Sequence, residues 1–109
     1  MDFELTDEQR MLQESVRRFA DREISPHVAR MDEEEVFAEE LWDKAVELGF
    51  VGMGMPQEYG GTHTDYLSIG IMAEETSRVD PGVAVVFGAH TLLCGDNIAR
   101  NGTPGQKAK

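Results

Sequence analysis

Asp80-Pro-Gly-Val-Ala-Val-Val-Phe-Gly-Ala-His-Thr-Leu-Leu-Cys-Gly-Asp-Asn-Ile-Ala-Arg-Asn-Gly102 is the stretch that decides the fold. Asp80 and Pro81 are a strong helix start, an acidic cap followed by proline at the first helical position. From there to about Asn101 the pattern predicts one helix, apolar on nearly every side until Asp96, with Gly102 closing it. A helix without a polar face belongs between neighbours rather than on a surface. The rest of the chain must therefore supply other helices to cover it, and a lone four-helix unit would cover it incompletely.

Working backwards, Asp65 opens another helix carrying Leu67, Ile71, Met72 and Val79. Before it lies Phe50-Val-Gly-Met-Gly-Met-Pro-Gln-Glu-Tyr-Gly-Gly61, whose glycines and proline exclude a helix. An extended connection with a turn at Gly60-Gly61 is expected there. Leu41, Trp42, Ala45, Val46 and Leu48 make a short helix, and Gly49 sits where a left-handed cap belongs. The acidic run Asp32 to Glu35 reads as a solvated turn. At the start, Thr6 and Gln9 form a capping box, with Asp7 and Glu8 at the positive helix end. Leu12, Val16, Phe19, Ala20 and Ile24 then recur at helical spacing until Ser25-Pro26, which should disturb or end the helix. The expectation is an all-α fold, an antiparallel bundle of about four helices with one long non-helical connection. Working forwards, Thr103-Pro104-Gly105-Gln106 repeats the grammar of a helix start and the sequence stops at Lys109, as truncation before a helix would leave it. A frayed polar tail is the alternative.

The chain has 109 residues, room for one domain with a modest core. Twenty-one acidic residues oppose ten basic ones, a formal net charge of −11. Such a surface repels phosphate backbones and anionic lipid, so neither nucleic acid nor a membrane surface is an expected partner. A salt-rich environment would screen this self-repulsion, although an ordinary solvated acidic face explains it as well. Cys94 is alone, which excludes an internal disulfide. The acidic opening is unlike a basic signal leader, and the uncharged stretch from Pro81 to Gly95 is short of the ~20 residues a bilayer span needs. A cytoplasmic protein is expected.

No catalytic constellation emerges from residue chemistry. Glu74 and Glu75 lie within one helical turn of Arg78 and read as a surface ion pair rather than acid–base machinery. His27, His63 and His90 are far apart and have no cysteine or carboxylate at ligand spacing, so no metal site is expected. His27 and His63 read as surface or loop residues, and His90 as a hydrogen-bonded core histidine. Gly52-Met-Gly54 and Gly60-Gly61 lack the spacing of a phosphate cradle, and the six methionines read as core filler.

The order of motifs carries more. Phe3-Glu-Leu-Thr-Asp-Glu-Gln, Phe19-Ala-Asp-Arg-Glu-Ile-Ser-Pro-His27, Leu41-Trp42 and Glu47-Leu-Gly-Phe follow one another, then Gly52-Met-Gly-Met-Pro-Gln-Glu-Tyr-Gly-Gly61. Asp65-Tyr-Leu-Ser68, Glu74-Glu75-Thr-Ser-Arg78, the helix with His90, Gly102-Thr103 and Gln106-Lys107 complete the series. Together they resemble the N-terminal helical domain of acyl-CoA dehydrogenases, over Phe3 to Lys107. The departure is Thr62-His63-Thr64, where many relatives have a glycine. The resemblance implies a three-domain, FAD-dependent, homo-oligomeric enzyme that oxidises acyl-CoA to trans-2-enoyl-CoA. It places the middle β-domain, the C-terminal helical domain, the catalytic base and most flavin contacts outside these 109 residues. Residues 1–109 would then be the N-terminal domain alone, with no catalytic or cofactor-binding residue of its own, inactive by itself and not expected to bind FAD unaided. The resemblance also assigns the helix after Asp80 to one wall of the acyl-chain cavity, with Ala89, His90 and Leu93 as candidate lining residues. Ordinary core packing explains those three equally well. A helical binding or assembly module, and a fragment without independent activity, are the alternative functions.

Overall fold

The computed structural model describes all of residues 1–109 and is all-α, with no strand. The first helix, α1, spans Asp7–Phe19 behind the predicted capping box. The Gln9 N–H donates to Thr6 Oγ1 at 3.2 Å, and the Thr6 N–H donates to Gln9 Oε1 at 2.9 Å. Ser25-Pro26 disturbs this rod without ending it. A π-helical segment, Ala20–Ile24, and a tight 3₁₀ turn, Ser25–His27, change the hydrogen-bond spacing around Pro26. Helical dihedrals then continue into α2, Val28–Glu34. Proline lacks an N–H and its ring crowds the carbonyl of the preceding turn, and changing the hydrogen-bond spacing on either side absorbs both. Asp32 to Glu34 thus form the end of α2 rather than a turn. Glu35 caps it in the left-handed region at φ 52°, and all four carboxylates are exposed.

Helix α3, Glu39–Glu47, ends at Gly49, left-handed at φ 77° as the sequence predicts. The connection that follows contains no α-helix, only 3₁₀ turns at Phe50–Gly52 and Gln57–Tyr59. It folds back on itself, with the Thr62 N–H donating to the Gly52 carbonyl at 3.0 Å and the His63 N–H to the Met55 carbonyl at 3.0 Å. A Cβ at Gly61 would collide with the Met55 carbonyl, so only glycine fits there. His63, in the loop Thr62-His63-Thr64, takes the left-handed conformation at φ 50°.

Helix α4, Tyr66–Val79, starts at its Asp65 cap, which accepts from the Ser68 N–H at 2.7 Å. Asp80 caps the next helix in the same way, accepting from the Val83 N–H at 3.1 Å. That helix runs unbroken over Pro81–Asn101, as α5 (Pro81–Gly88), a π-helical segment (Ala89–Asp96) and α6 (Asn97–Asn101). Its 21 residues, at mean hydropathy 1.3, exceed the uncharged stretch and reach bilayer-spanning length. Within this fold, however, Val83, Ala84, Phe87 and Thr91 are buried against protein. Thr103 and Gln106 build a second complete capping box, and a one-turn helix, α7 (Pro104–Ala108), does form behind it.

The core joins these rods through aromatic rings. Phe19 meets Phe50 edge-on at 5.4 Å between centroids, Phe87 lies 6.4 Å from Phe19, and Trp42 is 6.2 Å from Phe87. Val16, Ile24, Leu41, Met72 and Val83 fill the space around them. The rod that begins with α1 and helix α4 run side by side in the same direction, not antiparallel as the sequence reading expects of the bundle, with Arg17 facing Glu75 and, in the π-helical segment, Asp21 facing Arg78. Parallel neighbours need a long crossover between them, and residues 35–65 provide it.

Candidate functional site: the long helix and its groove

The three residues singled out by resemblance all sit in the π-helical segment, but they do not point the same way. The His90 ring is half-buried and stands edge-on to Trp42, 4.8 Å between centroids at an interplanar angle of 85°. It is held by an aromatic contact rather than by the hydrogen bond a core histidine would ordinarily have. Ala89 is half-buried, and Leu93 is 73% exposed. Val85, Ala89, Leu92 and Leu93 follow one another at helical spacing along the outer surface of the helix. The opposite side is anchored by Phe87 and by Thr91, whose hydroxyl donates to the Val51 carbonyl at 3.5 Å. A helix that looked apolar all round therefore has a core side and an uncovered side.

Below His90 the helix borders a groove of about 320 Å³, with Met55, Pro56 and Tyr59 from the connection opposite Cys94 and Ile98. A Cβ added at Gly95 would lie 3.2 Å from Met55 Sδ and still nearer the end of its side chain, so Gly95 is the notch into which Met55 fits. A glycine inside an otherwise apolar helix was the one sequence signal for this contact. Cys94 is exposed beside it.

The lower end of the π segment is fixed by charge. Asp96 accepts from Tyr66 Oη at 3.2 Å and from Arg100 Nε at 2.9 Å, and the Arg100 guanidinium lies over the Tyr66 ring. Hydrogen bonding to Asp96 raises the pKa of Arg100 further. This clasp ties the first turn of α4 to the long helix, and residues so far apart in sequence gave no hint of it.

The carboxylates resolve differently from the surface pair expected of Glu74 and Glu75. Glu74 is exposed, whereas the Glu75 side chain is 3% exposed. Glu75 accepts two hydrogen bonds from Arg17, at 2.9 and 2.8 Å, and one from Arg78 at 3.4 Å. Arg78 also reaches Asp21 at 2.7 Å. The Arg17 hydrogen bonds hold the Glu75 carboxyl below its ordinary range, against burial, which pushes it up. A carboxylate so firmly ionised is a structural anchor, not a proton donor. Arg17 is the partner that sequence spacing could not supply, because it lies on another helix.

His27 is half-buried next to Arg30 and Glu40, and His63 is exposed in its loop. No group of three or more His, Cys, Asp or Glu side chains is placed to hold a metal ion.

Residues 6–109 match the family model described as "Acyl-CoA dehydrogenase, N-terminal domain". The short-chain-specific acyl-CoA dehydrogenase of Clostridium acetobutylicum is 42% identical over 109 residues, covering 100% of this chain and 29% of that protein. The structure of butyryl-CoA dehydrogenase from Megasphaera elsdenii superposes with a TM-score of 0.90 at 33% identity, over 99% of this chain and 29% of that one. The FAD complex of PigA superposes with a TM-score of 0.89 at 28% identity, over 98% of this chain and 28% of that one. The chain thus spans less than a third of the length of each of these proteins. Sequence and fold agree over nearly every residue, and the chain belongs to the acyl-CoA dehydrogenase family, matching its N-terminal domain.

Proposed function

We propose that residues 1–109 act as the N-terminal domain of a three-domain, FAD-dependent acyl-CoA dehydrogenase, a soluble cytoplasmic homo-oligomer, and contribute one wall of its acyl-chain cavity. The observation that carries this reading is the uncovered apolar side of the long helix. Val85 and Leu93 are 68% and 73% exposed, with half-buried Ala89 between them. An apolar surface of this kind on a rigid, well-anchored rod suits a fatty chain or a neighbouring domain better than water. The Trp42–His90 contact, the Gly95–Met55 notch and the Asp96–Arg100–Tyr66 clasp fix that wall at three heights. Rigid positioning of an acyl chain is what α,β-oxidation demands, since the reacting carbons must be held in line.

PigA is solved with FAD and supports a flavin in the complete protein. When bound, a flavin would supply the oxidant for the acyl chain. Gly52 and Gly61 do not form a phosphate cradle, because the space beside them is taken by the chain itself. Gly61 packs on the Met55 carbonyl and Gly52 packs on Gly61. Accordingly, no step is assigned to a flavin through these residues, and the chain alone is proposed to be inactive. Its own part is to shape the cavity and exclude water.

Ala89→Phe in the complete enzyme tests the reading. A ring at this small position should shorten the preferred acyl chain, lowering kcat/KM for long substrates by about tenfold or more relative to short ones. That corresponds to ~1.4 kcal/mol of discrimination. An unchanged chain-length profile would overturn the assignment of this wall.

A further inference from the structure

A second groove, of about 350 Å³, lies between α1 and α3, and none of its lining residues belongs to the long helix. Its charge is the reverse of the molecule's. Arg18, Arg22 and Lys44 line it, three of the ten cations, against Glu23 and Glu47, two of the twenty-one acids. The cations elsewhere are mostly committed: Arg10, Arg17, Arg30, Arg78 and Arg100 each lie within 4.0 Å of a carboxylate. Arg18 and Arg22 have no such partner, although the Glu23 and Glu47 carboxylates share the groove with them. They are the two free arginines of an acidic protein. Four residues apart, they project from one side of the rod, and Lys44 faces them from α3. Arg22 belongs to the π-helical segment Ala20–Ile24, a type of distortion that recurs at functional sites. Ser15 adds a hydroxyl, Phe19 lies beneath, and Leu48, 51% exposed, forms an apolar side.

We infer that this groove binds a phosphate monoester carrying an apolar group. Two guanidiniums present planar forks matched to phosphate oxygens, and Lys44 adds a point charge. Glu23 weakens the attraction of any anion, but the three cations outweigh the two acids. Lys44 is itself only loosely engaged, 4.0 Å from Glu47. Leu48 gives the organic part of the ligand something to cover. The volume suits a small phosphorylated molecule.

The test is an NMR titration of the chain at constant ionic strength, following the Nε–H signals of the arginines. Phenyl phosphate should shift the Arg18 and Arg22 signals saturably, at roughly millimolar concentration, while inorganic phosphate binds more weakly. Arg18→Gln with Arg22→Gln should weaken binding at least about tenfold, and Lys44→Gln should weaken it less. Lys107→Gln, removing a free cation outside the groove, should leave it unchanged. Shifts that only track ionic strength would overturn the inference. So would inorganic phosphate binding as tightly as phenyl phosphate, or equal losses from Lys107→Gln and the arginine pair. Lys44→Gln and Lys107→Gln keep the comparison decisive if the double variant does not fold.

Discussion

Helices α4 and Pro81–Asn101 lie next to each other and bury themselves by opposite means. Helix α4 carries a glutamate into the interior and keeps it charged, with Arg17 and Arg78 closing around it. The long helix carries mostly apolar side chains as far as Gly95 and still leaves Val85, Leu92 and Leu93 in solvent. Polarity therefore does not decide which surface is inside. What decides it is whether the rest of the fold brings a matching partner, a guanidinium fork for one helix and aromatic rings for half of the other. The other half of the long helix has no partner within these residues, which is why it is the candidate wall.

The sharpest way to break this comparison is to remove the apolar anchor. Phe87 is fully buried and touches both Phe19 and Trp42. Phe87→Ala should destabilise the chain by about 3–5 kcal/mol, enough to unfold a domain of this size or bring it to the edge. Chemical denaturation monitored by far-UV circular dichroism measures it. A cost below about 1 kcal/mol would mean that the long helix is not held by its core side.

Replacing the charged anchor should cost less. Glu75→Gln removes the buried charge but leaves Arg17 and Arg78 about half exposed and still hydrated, so about 1–2 kcal/mol is expected. The pH dependence has a definite sign. Because the folded Glu75 carboxyl titrates below its unfolded value, its contribution is complete above the ordinary glutamate range. It is lost as pH falls through the lower folded value. Wild-type stability should therefore decline below about pH 4.3, and Glu75→Gln should decline less steeply. Parallel acid profiles for the two proteins would show that Glu75 is not the linked group.

The two anchors also mark what a single sequence reveals. Caps, the left-handed Gly49 and the start at Asp80-Pro81 were legible because each is decided within four or five residues by backbone hydrogen bonds. One local reading differs at a boundary, since the acidic run predicts a turn but Asp32 to Glu34 form the end of α2. Pro26 disturbs its helix without ending it, one of the two outcomes its position predicts, because π and 3₁₀ turns absorb it. The tail behind Thr103 folds into one helical turn because its capping box is already complete. Glu75 was misread because its deciding partner, Arg17, is 58 positions away. The Met55–Gly95 notch and the Tyr66–Asp96–Arg100 clasp were invisible for the same reason. The candidate site was legible as a helix, but its division into an inner and an outer side depends on where α3 and the connection come to rest.

The smallest expected effect gives the finest test of that division. Leu93 is 73% exposed, so Leu93→Ser removes a side chain that already stands mostly in water. Burial of a leucine contributes about 1.5–3 kcal/mol in full, and an exposed one contributes little, so a change within about 0.5 kcal/mol is expected in the 109-residue chain. If the outer side is the acyl-chain wall proposed above, the same substitution in the complete protein should act on KM for acyl substrates rather than on folding. Thermal melts of the chain and substrate kinetics of the complete protein separate the two. A loss above about 1 kcal/mol in the chain alone would show that Leu93 is covered within it, and the outer side would then be core after all.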